Sequence, residues 1–115
     1  MNTRAIGIVG ENIAAKFLKK NGYRILERNF SCVHGEIDII ALQGGFYVFI
    51  EVKSRNVRDY GAPCEAVNIY KQRRIISSAN SWLVGRHKFG APVRFDVVEV
   101  LDGVPSVIVD AFRPS

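Results

Sequence analysis

Two carboxylates and a lysine lie inside apolar runs of this chain. Asp38 interrupts Ile37–Ile40, and 13 positions further on Glu51 and Lys53 lie in the run Val48–Lys53. Because side chains alternate across a β-strand, Glu51 and Lys53 share one face, and a paired strand can bring Asp38 beside them. Charged side chains within strands this apolar indicate a binding or catalytic site. The spacing predicts a divalent-cation site with an ammonium group next to it.

The connection between the two runs supports that arrangement. Gly44 and Gly45 predict a hairpin turn that folds Glu36–Leu42 against Phe46–Lys53. The two carboxylates then become neighbours, and they would repel and titrate abnormally without a cation between them. Mg²⁺, or Mn²⁺ in its place, suits carboxylate and main-chain oxygens, clamps phosphate and lowers the pKa of bound water. We expect Lys53 to orient that water or to balance phosphate charge.

A plainer interpretation of these residues stays open. Glu51 and Lys53 would then be an ordinary ion pair on the solvated face of a strand, with Asp38 at the end of a neighbouring strand. The E-x-K triplet alone is a weak motif. The added carboxylate, the hairpin and the apolar surroundings together favour the cation site.

The segments around these residues resemble a known nuclease core. Gly35–Ile40 and Val48–Arg55 look like the PD-(D/E)xK motif, although Ile37 stands where the motif's name has proline. Almost the whole chain is similar to the YraN family, small bacterial proteins similar in fold to archaeal Holliday junction resolvases. Further segments that carry the resemblance are Gly10–Glu11, Gly22–Leu26, Glu65–Val67, Lys71 with Arg74–Ile75, and Arg94–Val98.

The resemblance implies roles for four residues and an activity. Asp38 and Glu51 would bind Mg²⁺, Lys53 would be the catalytic lysine, and Glu11 would be an accessory acid on the first helix. The implied activity is metal-dependent endonucleolytic hydrolysis of phosphodiester bonds in DNA, in branched or single-stranded substrates. A non-catalytic nucleic-acid-binding module of the same fold is the alternative. For Glu11 itself, a surface carboxylate paired with helical lysines is also an ordinary outcome.

The charge of the chain favours a polyanionic partner. Sixteen Lys and Arg against eleven Asp and Glu give a net charge of +5 and a pI near 9.5, which suits DNA, although charge for solubility alone is the alternative. We expect a nucleic-acid surface on the loop after Lys53, on one face of the second helix and near the first hairpin. The residues predicted to form it are His34, Arg55, Arg58, Lys71 and Arg74. A solvated loop and a solvated helix face are the alternatives.

Length and cysteine usage limit the class of protein. The 115 residues predict a single domain over 1–115. Cys32 and Cys64 are expected to be reduced thiols, and no run approaches a membrane span, so we expect a cytoplasmic protein. A homodimer would allow two strands to be cut symmetrically, but no residue pattern locates an interface.

Hydrophobic periodicity predicts an α/β fold in the order αβββαββ, with a mixed, largely hairpin-built sheet of about five strands covered by two helices. The resemblance implies that this fold is a restriction-endonuclease-like core. Trp82 is expected to pack in the core, and Asp96 to pair with a basic residue rather than to catalyse. On the second helix, Ile69, Ile75, Ile76, Ala79 and Leu83 are expected on the core face, and Lys71, Arg74 and Ser78 on the basic face. Asp102–Gly103 predicts a hairpin turn between the last two strands. The predicted elements are the helix Thr3–Lys20, the strands Tyr23–Asn29, Glu36–Leu42 and Phe46–Lys53, the helix Glu65–Val84, and the strands Val93–Leu101 and Ser106–Phe112.

Overall fold

The predicted element order is confirmed in the computed structural model, which describes residues 3–56 and 67–114, with side chains from residue 7. Within those ranges, neither helix is both long and apolar enough to cross a membrane. The elements are α1 (Thr3–Lys20), β1 (Arg24–Cys32), β2 (Gly35–Gln43), β3 (Phe46–Arg55), α2 (Ile69–Gly85), β4 (Val93–Leu101) and β5 (Val104–Phe112).

The five strands form one mixed sheet in the order β1-β2-β3-β4-β5. Neighbours joined by hairpins are antiparallel, and the turns at Gly44–Gly45 and Asp102–Gly103 lie where the sequence predicts them. The pair β3 and β4 is parallel, because the chain crosses over through α2 between them. That crossover brings the start of α2 near the end of β3.

The core consists of two apolar layers, one on each face of the sheet. Strands β2, β3 and β4 lie between the two layers, which explains why their sequences are almost continuously apolar. On the α1 side, Ala14, Ala15 and Leu18 pack against Ile39, Ala41, Val48, Ile50, Val98 and Val100. On the α2 side, Ile75, Ala79, Trp82 and Leu83 pack against Ile37, Ile40, Phe49, Phe95 and Val97.

The predicted start and face of α2 are wrong. The helix begins at Ile69, since Val67 and Asn68 are not helical and the Asn68 side chain caps the helix; Glu65 lies outside the described residues. Ile69 was expected in the core but is 48% exposed, whereas Ser78 was expected on the basic face and is fully buried. Ser78 occupies a position of the apolar stripe, where a small residue fits beneath the β1–β2 turn at Gly35.

Four strands are longer than predicted. β2 extends by one residue at each end, to Gly35–Gln43, and β3 by two residues, to Arg55. β1 continues past Asn29 to Cys32, because Asn29 adopts a left-handed conformation (φ 56°) without ending the pairing with β2. β5 begins at Val104 rather than Ser106. The turn at Asp102–Gly103 has only two residues, so Val104 already pairs with Leu101.

Asp96 has the structural role that the sequence predicts. Its buried carboxylate accepts two 2.9 Å bonds from Arg94, one of 2.6 Å from the Tyr23 hydroxyl and one of 2.9 Å from the Asp110 main-chain N–H. Burial and the contact with Asp96 raise the pKa of Tyr23 to about 12. The four donors satisfy the carboxylate and tie β4 to β5 and to the segment before β1.

A glycine allows α1 to lie close to β3. Gly10 is buried, and a Cβ atom placed on it would overlap the side chain of Ser54. Gly7, one turn earlier on the same helix, is exposed and has open space around it. The close approach at Gly10 therefore determines how near α1, and with it Glu11, lies to β3.

We expect Gly10→Ala to lower the free energy of unfolding by about 1–3 kcal/mol, since the added methyl must displace Ser54 or α1. Gly7→Ala is the matched control and should raise it by about 0.5–1 kcal/mol, because alanine is the better helix former. Urea unfolding followed by circular dichroism measures both. Equal stability changes in the two variants would contradict the close contact.

Candidate active site

The candidate site is formed where β2 and β3 separate. Their pairing ends at Ile39 and Ile50, and one step further along the same register Asp38 lies opposite Glu51. There Asp38 Oδ2 accepts a 2.8 Å hydrogen bond from the main-chain N–H of Val52. The Asp38 carboxylate thus accepts from the Val52 N–H, a donor that in a continuous sheet would bond to a main-chain carbonyl of the neighbouring strand. We call this place the β2–β3 fork.

The neighbouring strand β1 has an unusual backbone conformation at the same level. The β1–β2 register places Asn29 opposite Asp38, and Asn29 is left-handed. In β2, Ile37 and Ile40 both pack on the α2 side although they are three residues apart. Strict alternation would put them on opposite faces, so the alternation of faces is interrupted between Ile37 and Ile39. Asp38, at this interruption, lines a cavity on each face of the sheet.

A cavity lies on each side of the fork. The α2-side cavity, about 630 Å³, has Asp38 and Glu51 in its wall, and the α1-side cavity, about 660 Å³, has Asp38 and Glu11. Glu36 and Asp38 line both cavities. The other residues around the α2-side cavity are Ser31, Cys32, Val33, Gly35, Asn68, Tyr70, Lys71, Arg74 and Ile75.

The electrostatics of the fork are those of crowded carboxylates. Burial raises the pKa of Asp38 to about 7, and repulsion from Glu51 and, more weakly, from Glu11 adds to the rise. The Val52 N–H and the Lys71 ammonium act in the opposite direction. A carboxyl group that titrates near neutrality beside a second carboxylate is a favourable place for a cation.

Lys71 supplies positive charge to this site from α2. Its Nζ lies 2.5 Å from Glu51 Oε1, and the Glu51 side chain is only 8% exposed. The Asn68 cap brings this about, because its Oδ1 accepts the Lys71 N–H at 2.9 Å and holds Lys71 in the first turn. The sequence placed Lys71 on a nucleic-acid-binding helix face; the structure places its ammonium on a predicted metal ligand.

Glu11 lies on the other side of the fork, in the same cavity as Asp38. Its Oε1 accepts a 3.1 Å bond from Arg28 Nε of β1, and Arg28 is also bonded to Asn12 at 2.7 Å. The expected alternative, pairing with lysines of α1, is not the contact observed at Glu11. The Arg28 guanidinium instead holds the carboxylate at the edge of the α1-side cavity.

The remaining predicted site residues lie around the fork rather than in it. Lys53 is half-buried on β3, in register with Glu99 of β4, and does not line either cavity. Arg55 Nε lies 3.7 Å from a Glu99 oxygen. Arg58, which was also predicted to bind nucleic acid, lies outside the described residues.

Arg74 and His34 meet at the mouth of the α2-side cavity. Arg74 Nε donates a 3.2 Å bond to the main-chain carbonyl of His34, and both side chains are exposed. Sequence reasoning named both as nucleic-acid-binding residues but gave no reason for them to be close. The bond joins the first turns of α2 to the β1–β2 turn.

The residues that sequence reasoning missed are the cavity-lining Cys32, Glu36, Asn68 and Tyr70. For two of them a signal was present. Recognising Asn68 as the helix cap would have placed Tyr70 and Lys71 in the first turn, beside the end of β3. For Cys32 no signal was available, because only the extension of β1 past Asn29 brings it to the cavity.

The side chains at the fork fit a weakly chelated hard cation. Within residues 3–56 and 67–114, no group of three or more His, Cys, Asp and Glu side chains could hold a metal ion. Mg²⁺ is commonly bound by only one or two carboxylates, with waters and substrate phosphates completing its shell. Asp38 and Glu51 supply that number of carboxylates, whereas a site for zinc would need more protein ligands.

The raised pKa of Asp38 predicts a pH-dependent cost to stability. The folded protein holds the proton up to about pH 7 and the unfolded chain only to about 3.8, so stability should fall as the pH rises between these values. Asp38→Asn keeps an acceptor for Val52 and removes the charge. It should stabilise the protein at pH 8 by roughly 1–4 kcal/mol, and by little at pH 4.

Urea unfolding at both pH values measures this difference, with Glu36→Gln as the control. Glu36 lines the same cavities but is exposed, and its neutralisation should leave the pH dependence as it is in the parent. A stability gain for Asp38→Asn that is the same at pH 4 and pH 8 would show that Asp38 is not the strained carboxyl.

Comparison with known proteins identifies the family. The model of uncharacterised protein family UPF0102 matches residues 10–100, which include every described residue of the fork. The chain is 46% identical to a UPF0102 protein of Clostridium kluyveri over 114 residues, covering 94% of this chain and 93% of that one. It is 47% identical to one of Clostridium perfringens (96% and 95% covered) and 50% identical to one of Symbiobacterium thermophilum (88% and 86%). The family predicted under the name YraN is thereby confirmed, and this chain belongs to the UPF0102 family.

Proposed function

We propose that this protein is a metal-dependent DNA endonuclease of the PD-(D/E)xK type, similar to the resolvase branch. The observation that carries the proposal is the β2–β3 fork. There two carboxylates, Asp38 and Glu51, face each other in a cavity, and burial and repulsion raise the pKa of Asp38 to about 7. Two carboxylates kept close at such a cost favour a cation, and Mg²⁺ or Mn²⁺ suits their oxygen ligands.

In this proposal, Asp38 and Glu51 hold the metal ion. When bound, Mg²⁺ supplies charge stabilisation on a phosphate oxygen and lowers the pKa of a water molecule. The Val52 N–H keeps the Asp38 carboxylate in a fixed orientation through its 2.8 Å bond. Placement on two strands of the sheet gives the pair the rigidity that such a site needs.

Lys53, Lys71 and Glu11 account for the rest of the proposed reaction. Lys53 follows Glu51 by two positions on β3, so it shares the face of Glu51 and orients the water or balances charge on the phosphate. With a metal ion on Glu51, the Lys71 ammonium that now pairs with this carboxylate would be available to a substrate phosphate. Glu11, held by Arg28 in the α1-side cavity, assists from the opposite side of the fork.

DNA is the proposed substrate because phosphodiester chemistry fits both the site and the charge. The net charge of +5 favours a polyanion, and Arg74 and Lys71 lie along one wall of the α2-side cavity. Phosphate contacts from such residues position a strand without reading its sequence. The reaction class is therefore hydrolysis at phosphorus, with the substrate held through its backbone.

One contact favours a second candidate, a nucleic-acid-binding module that does not cleave. The Lys71 ammonium already neutralises Glu51 at 2.5 Å, so the acidic pair is partly compensated by the protein itself. A protein that kept this pair permanently would bind DNA through its basic residues and need no metal. The two candidates agree on binding and differ on metal-dependent cleavage.

Cleavage of labelled linear, single-stranded, flap and four-way DNA in Mg²⁺, Mn²⁺ or EDTA separates them. The parent should give products only with metal. Asp38→Asn and Lys53→Met should each lower the rate by roughly 100-fold or more, since both remove groups that act at the reacting phosphate. Asp110→Asn, a neutralisation at an exposed residue on β5, is the control and should cleave like the parent.

Binding is measured on the same variants by fluorescence anisotropy and should survive in all of them. Products that form equally in EDTA, or equally with Asp38→Asn, would contradict the proposed site. Binding without products under every condition would select the non-cleaving module.

A further inference from the structure

Two large, largely apolar side chains are exposed beside the α2-side cavity. Tyr70, in the first turn of α2, is 75% exposed, and Val33, in the β1–β2 turn, is 93% exposed. Both line the cavity that contains Asp38 and Glu51. Exposed apolar surface beside a cavity is typical of a place where a ligand with an apolar surface binds.

Positive charge lies beside these two side chains. Lys71 follows Tyr70 in the chain, and the Arg74 guanidinium is fixed at the cavity mouth by its 3.2 Å bond to the His34 carbonyl. An aromatic ring next to cationic groups is the combination with which proteins bind single-stranded nucleic acid, because the ring stacks on a base while the cations meet the backbone.

We propose that the α2-side cavity receives one unpaired DNA strand, with Tyr70 stacking on a base and Arg74 contacting the phosphate backbone. This inference rests on the proposed function and specifies its substrate class. Tyr70 is then a specificity-determining residue, which selects unpaired DNA over duplex.

The preference for an unpaired strand follows from what the ring can reach. In a duplex each base already stacks on its neighbours, so Tyr70 would meet only the sugar-phosphate edge. At a single strand, a flap or a branch point an unstacked base is available. The cavity volume, about 630 Å³, lies in the range of about 300–1,000 Å³ that holds small molecules. That space suits a nucleotide or two of one strand.

The charge pattern of the cavity also fixes the conditions for binding. Asp38, Glu51 and Glu36 line the cavity, and they repel a phosphate unless a cation lies between. Lys71 compensates only one of these carboxylates in the described structure. The strand should therefore bind in this cavity more tightly with a divalent cation than with EDTA, while contacts outside the cavity remain insensitive to the cation.

The test is fluorescence anisotropy with Ca²⁺, using a labelled single strand and a duplex of the same sequence, on the parent, Tyr70→Ala, Tyr70→Phe and Phe89→Ala. Tyr70→Ala should weaken single-strand binding by about 10-fold and leave duplex binding within about 2-fold, because one stacking contact is lost. Tyr70→Phe keeps the ring and should bind like the parent. Phe89 is 71% exposed beyond the far end of α2, so Phe89→Ala is the matched control and should change nothing.

A strand carrying 2-aminopurine gives a second readout, since stacking on Tyr70 quenches its fluorescence and Tyr70→Ala should restore it. Equal losses for single strand and duplex, or no loss with Tyr70→Ala, would overturn the inference while leaving metal-dependent cleavage by the parent intact. A parent that binds neither DNA and cleaves none would overturn the proposed function as well. Tyr70 is exposed, so folding of its variants is expected, and thermal unfolding verifies it.

Discussion

The separation of β2 and β3 after a single hydrogen-bonded run is the constraint on which the candidate site depends. If the ladder continued beyond Ile39 and Ile50, the strand main chains would satisfy each other and close the space between them. Instead, the Asp38 carboxylate accepts the Val52 N–H. A carboxyl group is thereby held in a half-buried position, opposite a second one at Glu51. Two cavities exist because the strands part at that point.

The rest of the fold supplies groups to the fork from both faces. The parallel pairing of β3 with β4 requires a crossover, and α2 provides it. The first turn of α2 consequently carries Lys71 to Glu51. On the opposite face, Gly10 lets α1 approach β3 closely, and Glu11 follows it directly in the chain. The Lys71 ammonium and the Glu11 carboxylate thus reach the fork from separate helices.

Sequence reasoning succeeded where local patterns determine structure. The apolar runs, the glycine turn and the register of a hairpin were sufficient to predict that Asp38 and Glu51 are neighbours, and the order of the elements followed from the same patterns. It failed where the outcome depends on tertiary contacts. Ser78 is buried because a small side chain fits beneath the β1–β2 turn at Gly35, and hydropathy alone gave the opposite answer. Lys71 contacts Glu51 because Asn68 caps the helix four residues later than predicted.

The central claim is that a divalent cation binds at the β2–β3 fork, and paramagnetic broadening of amide signals by Mn²⁺ tests it most directly. In a titration of the ¹⁵N-labelled protein, the amide signals of Asp38, Glu51 and Val52 should disappear first. Those of β5, on the far edge of the sheet, should persist. The same titration on Asp38→Asn should need far more Mn²⁺ to broaden the fork signals. Broadening that begins elsewhere, or that is the same in the variant, would contradict the account.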